Sequence, residues 1–168
     1  ENYEKALHEF GHHGITIKDV SMNIKKMQER KNKIVSQFTV GIEMLLKKNK
    51  VTYIKGIGSF VSRKNKSYEI KIKNKNDTEN ISAKNVIIAT GSNPRPFPGV
   101  EIDNETICDN VGALSLASAP KKLGVIGAGV IGLEMGSVWK RLGSEVTILE
   151  GLPSFLETVD KSISKEGY

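Results

Sequence analysis

The spacing of apolar and polar residues changes several times along this chain, and each change marks an element. Between Asn23 and Asn49 the residues Met27, Ile34, Val35, Phe38, Ile42, Leu45 and Leu46 recur at helical spacings, with lysines and glutamates opposite. That pattern predicts one long helix whose apolar stripe faces a core. "VTYIK" (Val51–Lys55) then alternates as a strand. Three short β patterns follow, "GSFVS", "SYEIKIK" and "ENIS", separated by polar turns such as Asn74 to Asp77; together they predict a β-meander. "NVIIATGS" (Asn85–Ser92) is a continuous apolar run of the kind found in buried parallel strands. The prolines of "NPRPFPG" (Asn93–Gly99) cannot continue a strand and predict a crossing linker. Val111 to Leu116 reads as a short helix before Pro120.

The stretch "GVIGAGVIGLEMGSVWKRLGSEVTILE" (Gly124–Glu150) combines period-two and period-3.6 patterns around a run of glycines. Val125 and Ile126 end a short apolar strand, and Gly127, Gly129 and Gly132 form G-x-G-x-x-G. Ile131, Met135, Val138 and Leu142 then share one face of a helix. The first glycine allows a sharp exit from the strand, the second lets the backbone approach a pyrophosphate, and the third lets helix and strand pack closely. The loop from Gly127 to Gly132, with Ala128, Val130 and Ile131 between the glycines, would then hold phosphates on the helix N-terminus. Gly143 fits the helix C-cap, and Glu145 to Leu149 forms a second strand that ends at Glu150. This acid lies 18 residues beyond Gly132, close to the ~20 at which an acid accepts ribose hydroxyls. A carboxylate there repels a 2′-phosphate and no arginine follows nearby, so NAD is expected rather than NADP. The plainer alternative is a βαβ unit whose glycines serve packing alone.

Composition narrows the class. The chain has 168 residues, 38% of them hydrophobic and 26% charged, which suits a globular protein of one domain or parts of two. No apolar run approaches the ~18 residues of a membrane span, and "ENYEKALHEF" is neither a signal nor a transit peptide. The net charge of +6 raises a nucleic-acid reading, but the lysines alternate with Asn and Glu and the aromatic content is only 6%. A solvated lysine-rich surface is the expectation, with no nucleic-acid partner and no membrane partner. A single cysteine, Cys108, excludes an internal disulfide and suggests a reducing compartment. His12 and His13 beside Glu9 lack a ligand spacing, so no metal site is expected. In "IIATGS", Ala89, Thr90 and Gly91 put small residues where an α/β strand meets a ligand, although a plain strand-to-loop turn would look the same.

The combination of "NKVTYIKGIGSF", "NVIIATGSNPRPFPG", "GALSL", "GVIGAGVIGLEMGSVWKRLGSEVTILE" and "ISKEG" resembles the flavoprotein disulfide reductases of the pyridine nucleotide-disulfide oxidoreductase family. Among its members the dihydrolipoamide dehydrogenases are the most similar; glutathione- and mercuric-reductase-like members are the alternative, and a noncatalytic NAD-binding module is a third reading. The resemblance covers almost the whole chain. It implies an α/β, FAD/NAD(P)-binding Rossmann-like fold. Residues 1–117 would be a partial FAD domain with a β-meander, lacking its first glycine motif, and residues 118–168 the first part of an inserted NAD domain.

It also implies FAD and NAD as cofactors, a lipoyl-bearing acyltransferase of 2-oxo-acid dehydrogenase complexes as partner, and a homodimeric parent in the bacterial cytoplasm or mitochondrial matrix. By resemblance Gly58 approaches the FAD adenine, and Thr90, Gly91 and Ser92 make the second flavin contact. Gly127, Ala128, Gly129, Val130, Ile131, Gly132 and Glu134 match the NAD loop and its helix, and Glu150 matches the ribose acid. Glu134 would lie near nicotinamide and flavin; the plainer account is a first-turn glutamate favourable to the helix dipole. The family's Cys-x-x-x-x-Cys pair and its His-Glu base have no counterpart here, so no catalytic residue is assigned. Cys108, in the linker region, reads as a buried or indifferent thiol. "FTVG" and "CDNVGAL", with Asn110 and Val111, depart from the family pattern locally. The expectation is an internal piece of a longer enzyme, inactive alone.

Overall fold

The computed structural model describes residues 1–153, 156 and 159–166. Gly167, which closes "ISKEG", lies outside them. The chain divides into two compact units, one formed by Glu1–Asn32 with Pro94–Tyr168 and the other by Lys33–Asn93. The helix α2 (Ile24–Lys48) contributes to both.

The Lys33–Asn93 unit contains the meander. Strands β1 (Ile57–Lys64), β2 (Ser67–Lys73) and β3 (Thr78–Ala83) pair antiparallel in that order. The β1–β2 turn has Asn65 and Lys66 at φ 48° and 62°, the two left-handed residues that a twisted two-residue hairpin requires. At the β2–β3 turn the Asn74 side chain accepts from the N–H groups of Asn76 and Asp77 at 3.0 and 2.7 Å. Ile70 faces Phe60 on one side and Ile81 on the other. Ile72 is buried in the middle strand, and Phe60 meets Tyr68 edge-to-face with centroids 5.8 Å apart.

In the other unit α1 (Asn2–His8) and a 3₁₀ turn (Phe10–His13) lead into α2. Gln28 and Lys31 at the start of α2 donate to the carbonyls of Leu116 and Leu114 at 3.1 and 2.9 Å. Those carbonyls follow α3 (Asn110–Ala113), which Asp109 caps by accepting from the N–H groups of Val111 and Gly112 at 2.9 and 3.0 Å. Strands β4 (Lys122–Ile126) and β5 (Glu145–Leu149) are parallel, in register from Lys122 opposite Glu145 to Ile126 opposite Leu149. Between them runs α4 (Val130–Arg141), making a βαβ unit. A last helix, α5, spans Lys161–Glu166. Gly143 ends α4 with φ 99°; its N–H donates to the Lys140 carbonyl and that of Ser144 to the Trp139 carbonyl, the pair of hydrogen bonds that closes a helix on a left-handed residue.

Three expectations of strand or core fail, and the reasons are physical. In α4 the stripe Ile131, Met135, Val138, Leu142 is not the face packed on the strands. Ile131 and Val138 are exposed, whereas Gly136 and Trp139 are buried. A helix approaches a flat strand pair closest along its smallest residues. A Cβ at Gly136 would lie 3.3 Å from both Val146 and Ile148, so the glycine row takes the contact, and the Trp139 indole N–H beside it donates to the Ala113 carbonyl at 3.2 Å.

Val51–Lys55 is not a strand. Lys50, at φ 57°, turns the chain out of α2, and the N–H groups of Lys50 and Val51 return to the carbonyls of Lys47 and Leu46. Asn85–Ser92 is also not a strand, with Ile87 90% and Ile88 74% exposed. A parallel strand exists only through nonlocal partners, and among the described residues none pairs with either segment. The stripe of α2 likewise covers no core: Val35, Phe38, Ile42 and Leu45 are exposed. Each such side chain forgoes the ~1.5–3 kcal/mol that full burial contributes.

Among the described residues only Ile72, Ala128 and Trp139 are buried apolar side chains. So small a core cannot offset the chain entropy of 168 residues. The 168-residue chain produced alone is therefore expected to bind a hydrophobic dye strongly and to unfold over a broad range of urea. A single sharp transition without dye binding contradicts this.

Candidate nucleotide-binding site

Strand β4 delivers the chain to a bend whose parts have separate jobs. The N–H of Gly127 donates to the Leu149 carbonyl at 2.7 Å, one bond past the paired residues, while its φ of 100° turns the chain away from the sheet. Such a φ excludes ordinary side chains. Gly129 is the N-cap of α4, with φ −72° and ψ 174° and no side chain capping the helix. A Cβ added there, or at Gly127, would meet nothing within 4 Å, so the outside of the bend is open. At Gly132 the space is taken: a Cβ would collide with the Gly127 carbonyl oxygen and lie 3.3 Å from Val125. The three glycines thus divide into a left-handed turn, an open outer face and a close packing contact.

A helix that starts at Val130 leaves its first N–H groups without intrahelical acceptors. With the positive end of the helix dipole they form a natural anion seat. Ala128 is buried within the bend, and Glu150 stands beside it at the end of β5. One carboxylate oxygen of Glu150 accepts from the Ala128 N–H and the other from the Leu152 N–H, each at 2.8 Å. These N–H groups, Leu152 first and Ala128 next, hold the carboxyl below the usual carboxylate range.

The helix brings Gly127, Ala128, Gly129, Val130, Ile131, Gly132 and Glu150 together. Glu134 lies further along it, exposed, as the fifth residue of α4. It is therefore in the second turn and not the first, where the dipole effect has largely faded. Gly58, Thr90, Gly91 and Ser92 belong to the Lys33–Asn93 unit. Gly58 lies in β1 opposite Ile72. Thr90 to Ser92 are exposed on irregular backbone, with Gly91 at φ 73°. Cys108 is half-buried, and burial followed by the charges of Asp103 and Asp109 pushes its thiol up, away from the reactive thiolate.

Among the described residues no three His, Cys, Asp or Glu side chains cluster as metal ligands, and no helix is long and apolar enough to cross a membrane. Two features of the site lie outside the sequence reading. The Gly132–Gly136 spacing is a legible sign of close helix packing. The bonds from Glu150 to the backbone have no sequence signal, because they depend on where the bend folds back.

Residues 3–166 match the pyridine nucleotide-disulphide oxidoreductase family. The chain is 51% identical over 166 residues to a dihydrolipoyl dehydrogenase of Cupriavidus necator, covering 99% of this chain and 34% of that one. It is 48% identical over 164 residues to the mitochondrial dihydrolipoyl dehydrogenase of Pisum sativum, covering 98% and 32%. The solved structure of LpdA from Mycobacterium tuberculosis matches with a TM-score of 0.86 at 23% identity, covering 98% of this chain and 36% of that one; at that identity the likeness shows the fold. The chain spans about a third of the length of the curated relatives it matches. It belongs to the pyridine nucleotide-disulphide oxidoreductase family.

Proposed function

We propose that this chain is the part of an FAD-dependent dihydrolipoyl dehydrogenase that joins its flavin domain to its NAD domain. On this reading residues 1–117 belong to the first and 118–168 open the second. The observation that carries it is the open, uncapped bend at Gly129 with an acid beside it. The open outer surface fits a diphosphate, and the N–H groups at the start of α4 fit its charge. Glu150 keeps unused acceptor capacity, since a carboxylate offers about four lone-pair sites, so it can receive ribose hydroxyls while repelling a 2′-phosphate. NAD is accordingly the nicotinamide cofactor proposed.

For the flavin, the chain offers Gly58 toward the adenine and Thr90, Gly91 and Ser92 as a second contact. Gly58 has room for backbone approach: a Cβ placed there would have Ile70 as its nearest neighbour, at 3.6 Å. The Thr90–Ser92 backbone is exposed. When bound, FAD supplies the relay by which two electrons pass from a dithiol to NAD. The overall reaction oxidises a protein-bound dihydrolipoyl dithiol to its disulfide, reduces NAD to NADH and releases a proton. Glu134 is proposed to flank the nicotinamide. The thiol pair and the proton-accepting base of that reaction are not among these residues. A lipoyl-bearing acyltransferase is the proposed partner, a homodimer the proposed assembly, and the bacterial cytoplasm or the mitochondrial matrix the proposed location.

Two outcomes follow. In the intact protein Gly129→Ala is expected to keep the thermal midpoint, because its backbone suits alanine, yet to weaken NAD binding at least about tenfold, or ~1.4 kcal/mol. Gly132→Ala should lose binding together with about 1–3 kcal/mol of stability by overpacking. Calorimetric titration alongside thermal melting separates the two, and unaltered NAD affinity in Gly129→Ala would sink the site. Dihydrolipoamide-dependent NAD reduction should be measurable for the intact protein and absent for the 168-residue chain. Turnover by this chain alone contradicts the proposal.

A further inference from the structure

We infer that Glu150 is a positioning residue: its carboxylate is a splint that shapes the glycine bend, in addition to any sugar it reads. The inference rests on the bend being a nucleotide seat, as proposed above. The last main-chain bond between the bend and β5 runs from the Gly127 N–H to the Leu149 carbonyl at 2.7 Å. One residue further on, the Ala128 N–H has no main-chain acceptor from β5 and is met by the Glu150 side chain at 2.8 Å. The ladder is thereby prolonged by a side chain. The second carboxylate oxygen takes the Leu152 N–H, also at 2.8 Å, so one group ties the bend to the turn that follows β5.

Ala128 is 5% exposed, and a buried N–H deprived of its acceptor carries the full cost of desolvation. Anchoring Ala128 holds the peptide that leads into Gly129, the residue where α4 begins. The N–H groups left to meet a diphosphate then start at Gly129, because those of Gly127 and Ala128 are already engaged. A carboxylate that served only the sugar would need neither bond before the sugar arrived.

The chemistry separates close substitutes. Glutamine keeps the length of the side chain but offers one acceptor oxygen, and its amide group would point donors at a donor. Aspartate is one methylene shorter and cannot span both N–H groups without moving the bend. Each carboxylate oxygen retains a further lone-pair site, so the splint and the sugar contact are compatible in one side chain.

The test titrates the intact protein and its Glu150→Gln and Glu150→Ala variants with two probes: NAD, and an NAD analogue lacking both hydroxyls of the adenosine ribose. The splint requires both variants to bind the analogue at least tenfold more weakly than wild type does. Variants that match wild type on the analogue and lose affinity only for NAD would show a sugar reader and overturn the inference. If wild type binds neither probe, the nucleotide seat itself fails. Amide exchange of Ala128 in the nucleotide-free protein tests the splint without a ligand. Exchange at least tenfold faster in Glu150→Ala, with β2 amides unchanged as a folding control, supports it, and equal rates overturn it.

Discussion

The absence of a side chain at Gly132 is the constraint on which this βαβ unit depends. The Gly127 carbonyl occupies the space where a Cβ at 132 would be. Only with hydrogen there can α4 begin close against the end of β4, and only from that start does Gly136 come down on Val146 and Ile148. The same approach brings the Trp139 indole within reach of the Ala113 carbonyl. The helix so placed has Gly129 as its N-cap, and because glycine has no side chain to accept from them its first N–H groups are uncapped. Close packing and the proposed anion seat thus meet in one turn of chain.

Elsewhere the chain is governed by what covers it. The meander needs only its own consecutive strands as pairing partners, and all three form. The apolar runs at Ile87 and Ile88, and the stripe of α2 through Phe38 and Leu45, have no such local partners and remain exposed. The relatives that this chain matches are about three times as long. Exposed apolar faces of this extent belong to interfaces and cores.

This contrast explains what is legible in the sequence. Elements whose stabilising contacts are local can be read directly: β2 occupies Ser67–Lys73 as its alternation predicts, α2 ends within a residue of its expected limits, and Gly143 closes α4. The steric parts of Gly127 and Gly132 are legible because each glycine answers a separate demand, a left-handed turn at one and close packing at the other. Strand character at Val51–Lys55 and Asn85–Ser92 misleads because alternation and apolarity state a preference, while a ladder needs a partner. The packed face of α4 is not marked by hydrophobicity, because closeness to a sheet rewards the missing side chains of Gly132 and Gly136. Glu134 belongs to the second turn because Gly129 is the cap. The bonds of Glu150 to Ala128 and Leu152 arise from tertiary folding and leave no periodic trace.

The central claim is that the bend from Gly127 to Gly132 seats the diphosphate of NAD. Residue-resolved amide NMR of the intact protein during titration with NAD tests it most directly. Saturable shifts are expected to be largest at Gly129, Val130, Ile131 and Gly132, with NADP producing much weaker ones. Saturable NAD binding that leaves those four amides unmoved and shifts residues elsewhere contradicts it.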